Sequence, residues 1–183
     1  MFTADRIHLR KVTESDAVIY HDWRNNMEVM ENTNPELDVH TFKETETFIQ
    51  SICQSSSSKS YIIELNENNM PIGIVSLVHI DYKNRNAECI IDIGNKDYWG
   101  KGYGTQAMTL LLNYSFYELN LHKVYLRVFS FNQRAIHLYE RLGFEKEGEL
   151  KDQIFRNGNW HGITYLAIFQ EKYLQNKNNS AKS

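Results

Sequence analysis

The sequence predicts an α/β (α+β) fold, a single domain with a mixed central β-sheet flanked by helices. Three observations predict it. Short runs rich in Ile and Val recur along the chain, with the composition and length of strands. Segments with apolar residues at helical spacing lie between those runs. The 183 residues are 42% hydrophobic and 23% charged, the balance of one globular domain with a full core.

In chain order, Ile7-His8-Leu9-Arg10 predicts a short strand. Thr13-Glu14-Ser15-Asp16 predicts a helix start, with Asp16 three residues after a capping Thr. A second helix is expected over His40–Gln54, where Phe42, Thr45, Phe48, Ile49 and Ile52 share a face. The serines at 55–58 form a polar loop. Strands follow near Tyr61–Leu65, Ile72–Ile80 and Cys89–Ile93. Gly102–Leu119 reads as a helix with Tyr103, Ala107, Leu110, Leu111 and Tyr114 on one face. Val124–Phe129 is a strand, and Asn132–Leu142 a helix ended by Gly143 at its C′ position. The remainder, through Leu166–Phe169, reads as strands. Residues 6–174 are expected to form the domain, and 175–183, rich in Asn, Lys and Ser, a flexible tail.

A net charge of −3 excludes a strongly basic nucleic-acid binder. Pro71–Ile80, the longest apolar run free of charge, is far short of the ~20 residues that a membrane helix needs. The first six residues hold no apolar core of a signal peptide. Cys53 and Cys89 lie in separate segments and read as reduced thiols, so a cytoplasmic protein is expected.

The most informative stretch is Trp99-Gly100-Lys101-Gly102-Tyr103-Gly104-Thr105, between a strand and a helix. Glycines at alternate positions let backbone N–H groups converge on an anion, and a helix N-terminus adds partial positive charge. The ligand implied carries phosphate; the plain alternative is a flexible turn. A nucleotide P-loop does not fit: five residues separate Gly94 from Gly100, and Gly102 stands where Ser or Thr would bind magnesium. A dinucleotide fingerprint fits only superficially, because the next strand ends in Ser130-Phe131-Asn132 with no carboxylate for a ribose.

Trp99-Gly100-Lys101-Gly102-Tyr103-Gly104 follows the pattern Gln/Arg-x-x-Gly-x-Gly/Ala except at its first position, where Trp99 departs. About 30 residues later comes Asn132-Gln133-Arg134-Ala135-Ile136-His137-Leu138-Tyr139-Glu140-Arg141-Leu142-Gly143-Phe144. In this order and spacing the two motifs resemble those of the GNAT family of N-acetyltransferases. Trp99 matches the branch that resembles ribosomal-protein acetyltransferases. The resemblance runs over roughly residues 6–174.

It implies a GNAT fold and acetyl-CoA as cosubstrate, with no metal. The backbone of Asp92, Ile93 and Gly94 would run along the pantetheine arm, with one N–H donating to the thioester oxygen. Trp99, Gly100, Lys101, Gly102, Tyr103, Gly104 and Thr105 would hold the pyrophosphate. Asn132 would bond the pantetheine, and Tyr139 would face the sulfur as general acid. On the residues alone, Tyr139 is equally a core aromatic, since it shares a face with Ala135, Ile136 and Leu142. Asn132 is equally a helix N-cap. A phenol near pKa ~10 protonating a thiolate near ~8.5 is uphill by ~2 kcal/mol, so Tyr139 is expected mainly to hydrogen-bond the sulfur.

A lysine-like amine at pKa ~10.4 is neutral in about one molecule in 10³ at pH 7, so a base is required. Glu88 is the first candidate, acting through water; its alternative is a solvated carboxylate at a strand edge. His79 is the second. No histidine cluster has metal-ligand spacing, and Cys89 has no neighbouring base.

In the family the acceptor wall comes from the first two helices, here about residues 21–46. Asp22, Glu28, Glu31, Glu36 and Asp38 lie there and suit a cationic amine, or simply a solvated face. The back half resembles bacterial spermidine N-acetyltransferases at Leu119-Asn120-Leu121-His122-Lys123, Glu147-Gly148-Glu149-Leu150, Asn157-Gly158 and Ile168-Phe169-Gln170. The front half departs: Asn32-Thr33-Asn34-Pro35 stands where those enzymes carry adjacent glutamates before a proline. The expectation is therefore a small-molecule or peptide amine acceptor, first a polyamine such as spermidine, then a protein N-terminus or an aminosugar. A non-catalytic CoA-binding module is the alternative of another class. No nucleic-acid or membrane partner is expected, and a homodimer is compatible with the resemblance.

Overall fold

The computed structural model describes residues 1–180. Seven strands join in the hydrogen-bonded order β1-β2-β3-β4-β5-β7-β6, a mixed sheet flanked by helices as the sequence predicts. The chain divides into two compact units, residues 1–79 with 90–111, and residues 80–89 with 112 onward.

In the first unit, β1 (Ile7–Lys11) pairs antiparallel with β2 (Lys59–Leu65), Ile7 opposite Leu65. β2 pairs antiparallel with β3 (Pro71–Asp81), which runs on into the second unit. Asp16 accepts from the Thr13 backbone N–H at 2.7 Å, so the expected helix start is present. It opens as a 3-10 turn over Glu14–Asp16, followed by α1 (Ala17–Arg24). A short α2 (Met27–Met30), which the sequence pattern does not reveal, is capped by Asn26. α3 (Phe42–Gln54) starts two residues later than expected, because Thr41 and Glu44 form a capping box. On its expected face Thr45 and Ile49 are fully buried, whereas Phe42 and Phe48 stay partly exposed. Val12, Ala17, Tyr20, Trp23, Ile49, Ile62 and Ile74 form one core cluster.

In the second unit, the first residues of β4 (Asn86–Ile93) pair parallel with β5 (Lys123–Phe129), Glu88 opposite Tyr125. β5 pairs antiparallel with β7 (Asn159–Phe169), and β7 with β6 (Glu145–Arg156). The β6–β7 hairpin turns on Asn157 and Gly158, both at positive φ (51° and 79°), the two-residue turn that strand twist favours. α5 (Gln133–Arg141) ends as expected. Gly143, at φ 96°, donates to the Glu140 carbonyl, and Phe144 donates to that of Tyr139.

Two expectations are corrected. The helix expected through Leu119 is α4 (Tyr103–Asn113) followed by a π-turn over Tyr114–Glu118, closed by Leu119 N–H on the Tyr114 carbonyl at 3.0 Å. The expected tail is helical in part: α6 spans Gln170–Ser180, so residues 175–180 continue a helix, and 181–183 lie outside the described residues. Tyr173 anchors it, buried against Phe116, with its hydroxyl donating to Asn113 at 2.8 Å.

Candidate active site

In the first unit β4 ends at Asp92-Ile93, and the chain turns at Gly94, whose N–H donates to the Ile72 carbonyl at 2.9 Å. Two glycines let this backbone pass closely. A Cβ at Gly73 would stand 2.3 Å from the Asp92 carbonyl oxygen, and one at Gly94 would stand 2.3 Å from the Trp23 ring. The Trp99 indole N–H donates to the Ile93 carbonyl at 3.0 Å, tying the glycine loop to the strand end.

Gly100 and Gly102 hold φ 71° and 85°, the left-handed region that only glycine enters freely. A Cβ at Gly100 would meet open space, so backbone geometry alone demands glycine there. Gln106 N–H donates to the Gly102 carbonyl at 3.1 Å, so the helix itself gives no partner to the amides of Tyr103, Gly104 and Thr105. Arg6, which sequence reasoning passed over, braces the loop. Its guanidinium donates to the Lys101 carbonyl and lies 4.5 Å from the Tyr103 ring centroid, while its backbone N–H donates to Gln106 at 3.1 Å. The result is an amide-lined, cationic turn at a helix N-terminus, suited to a pyrophosphate.

The second unit carries Glu88, Asn132 and Tyr139. Asn132 caps α5, its side-chain oxygen accepting from Ala135 N–H at 3.2 Å. Tyr139 is largely buried, with its ring 5.8 Å from that of Phe144, the residue that closes the helix on the Tyr139 carbonyl. Glu88 is not the solvated edge carboxylate that its sequence position allowed. It is 4% exposed, and Arg127 from β5 grips both carboxylate oxygens, Nε at 2.7 Å and Nη2 at 3.3 Å. That hydrogen bond holds Arg127 firmly protonated. His79 is exposed with φ 52°. Cys53 and Cys89 are both free thiols, and burial pushes the Cys89 thiol up.

Asp22, Glu28, Glu31, Glu36 and Asp38 are all exposed, and Glu28 pairs with Lys96 at 2.8 Å. The first-unit carboxylate that lies out of water without a basic partner is Asp92, to which the sequence reading gave only a backbone role. Its Oδ1 is shielded and without a hydrogen-bond partner. The signal was a charged residue inside Cys89-Ile90-Ile91-Asp92-Ile93. Among the described residues no helix is long and apolar enough to cross a membrane.

A glycine loop at a helix N-terminus beside a mixed sheet suits a phosphate-bearing ligand, and comparison with known proteins gives the class and the family. The chain belongs to the GNAT acetyltransferases: the acetyltransferase (GNAT) domain family matches residues 6–145. It is an acetyl-CoA-dependent N-acetyltransferase. It is similar to the spermidine N(1)-acetyltransferase of Escherichia coli (strain K12), 35% identical over 174 residues, covering 95% of this chain and 91% of that protein. It resembles the crystal structure of spermidine N-acetyltransferase from Vibrio cholerae in complex with CoA and spermine, with TM-score 0.84 and 34% identity over 92% of this chain and 98% of that one. A dodecameric structure of the Vibrio cholerae enzyme matches with TM-score 0.78 and 33% identity, covering 92% and 96%.

Proposed function

We propose that this protein transfers the acetyl group of acetyl-CoA directly to a primary amine of a polyamine such as spermidine. The observation that carries the reading is the likeness, along nearly the whole chain, to enzymes named for spermidine. The site residues are proposed in the roles that the family resemblance implies. The loop from Trp99 to Thr105, braced by Arg6, binds the pyrophosphate. The Asp92–Gly94 backbone lies along the pantetheine with one N–H on the thioester oxygen, and Asn132 bonds the same arm.

The neutral amine attacks the thioester carbon, forming the C–N bond as the C–S bond breaks. The amine proton leaves through water toward Glu88, which Arg127 holds in place. The thiolate takes a hydrogen bond, and then a proton, from Tyr139. Residues 6–174 act as the acetyltransferase domain, in a cytoplasmic homo-oligomer.

The experiment is free-thiol release from acetyl-CoA with spermidine, against a blank without acceptor and against a peptide with a free N-terminus. Saturable release with spermidine supports the reading. Release with the peptide alone moves the chain to protein N-termini, and release with neither overturns both acceptors.

A further inference from the structure

We infer that the side chain of Asp92 is an acceptor subsite, the point where the first unit holds a protonated nitrogen of the amine substrate. This deepens the proposed function and rests on it. The other carboxylates withdrawn from water in the described residues each have a basic partner. Asp16 takes the Arg10 fork at 2.8 and 3.0 Å, Glu64 takes Arg10 at 2.8 Å and His8 at 3.0 Å, and Glu88 takes Arg127. Asp92 has only a hydroxyl, that of Thr33, and its Oδ1 has neither water contact nor a partner. A carboxylate stripped of water without a cation is costly, and a ligand ammonium is the group that completes it.

The surroundings suit an ammonium. Tyr20 and Trp23, edge to face with centroids 6.4 Å apart, are the buried aromatics of this wall. The Tyr20 hydroxyl stands in the field of Asp92, and Trp23 packs flush on Gly94, two residues beyond it. A carboxylate in an apolar surround is the partner an alkylammonium takes, because the charge-assisted contact is made out of water. Arg24, which with Asp92 acts on the Tyr20 hydroxyl, does not pair with Asp92. Its guanidinium lies 5.0 Å from the Phe48 ring centroid, and its Nη1 has no partner. Thr33, which bonds Asp92, is exposed and belongs to the segment that carries Glu31, Glu36 and Asp38, all exposed acids that draw a polycation toward it. Asp92 thereby takes over the recognition that the sequence reading gave to those scattered acids.

Burial pushes the Asp92 carboxyl up, and a bound ammonium draws it back to the ionised form.

The test uses the full-length protein saturated with CoA, with spermidine titrated by calorimetry into wild type, Asp92→Asn and Thr33→Val. Losing a charge-assisted contact predicts spermidine binding weaker by about tenfold to a hundredfold in Asp92→Asn, and a few-fold in Thr33→Val. CoA affinity and melting temperature report whether each variant folds. If Asp92→Asn loses CoA binding, Thr33→Val decides. Equal spermidine affinity in wild type and a folded variant, or no binding by wild type, overturns the subsite. Spermidine bound by wild type and weakened in Asp92→Asn, with no thiol released in turnover, keeps the subsite and overturns the polyamine reaction.

Discussion

Arg127→Met separates the structural from the chemical role of Glu88. The Glu88 side chain is 5% exposed and that of Arg127 47%, and the fork closes at 2.7 and 3.3 Å. Removing one partner of a fully buried pair costs about 3–5 kcal/mol. Here the guanidinium stands half in water, which screens the pair, so the expected loss is about 1–3 kcal/mol. For a chain of this length that lowers the melting temperature by roughly 3–10 °C. Thermal melts of wild type and variant at neutral pH read it directly. No deficit would refute Glu88 as a desolvated, arginine-held carboxylate.

Tyr139→Phe should lower kcat by about tenfold or more with KM for acetyl-CoA within about twofold, because the phenol serves the departing sulfur rather than ground-state binding; near-normal turnover would remove it from the chemistry. Gly94→Ala should destabilise by about 1–3 kcal/mol, since its Cβ enters the Trp23 ring at 2.3 Å; an unchanged melting temperature contradicts the packing. Burial raises the Asp16 carboxyl, but the Arg10 fork and two bonds from Thr13 outweigh it and hold the group below the usual range. Its contribution is thus present above about pH 4 and lost as the pH falls through the folded value. Asp16→Asn should melt lower than wild type at pH ~7 and no lower in strong acid; a gap that persists in acid counts against the pairing.

Much of the fold was legible because its signals are local. The Thr13/Asp16 start, the Asn132 cap and the Gly143 stop are each written within a few residues, and each appears in the structure. The glycine loop was legible for the same reason, since positive φ at Gly100 and Gly102 has a residue-type signature. What stayed hidden depends on distant partners. Glu88 meets Arg127 through a parallel strand pairing across 39 residues of chain, which no local pattern encodes. The Asp92 side chain stayed hidden because a strand position does not say which distant residue, here Thr33, meets it. Residues 175–180 have the composition of a loose tail, yet Tyr173, one turn earlier, docks on Phe116 and carries the helix onward.

The central claim is acetyl transfer to a polyamine, and the most direct measurement is product identity. Wild-type protein with acetyl-CoA and spermidine, analysed by mass spectrometry, should give monoacetylated spermidine and free CoA in equal amounts. Acetyl-CoA left intact, or free CoA released with spermidine unmodified, would contradict it.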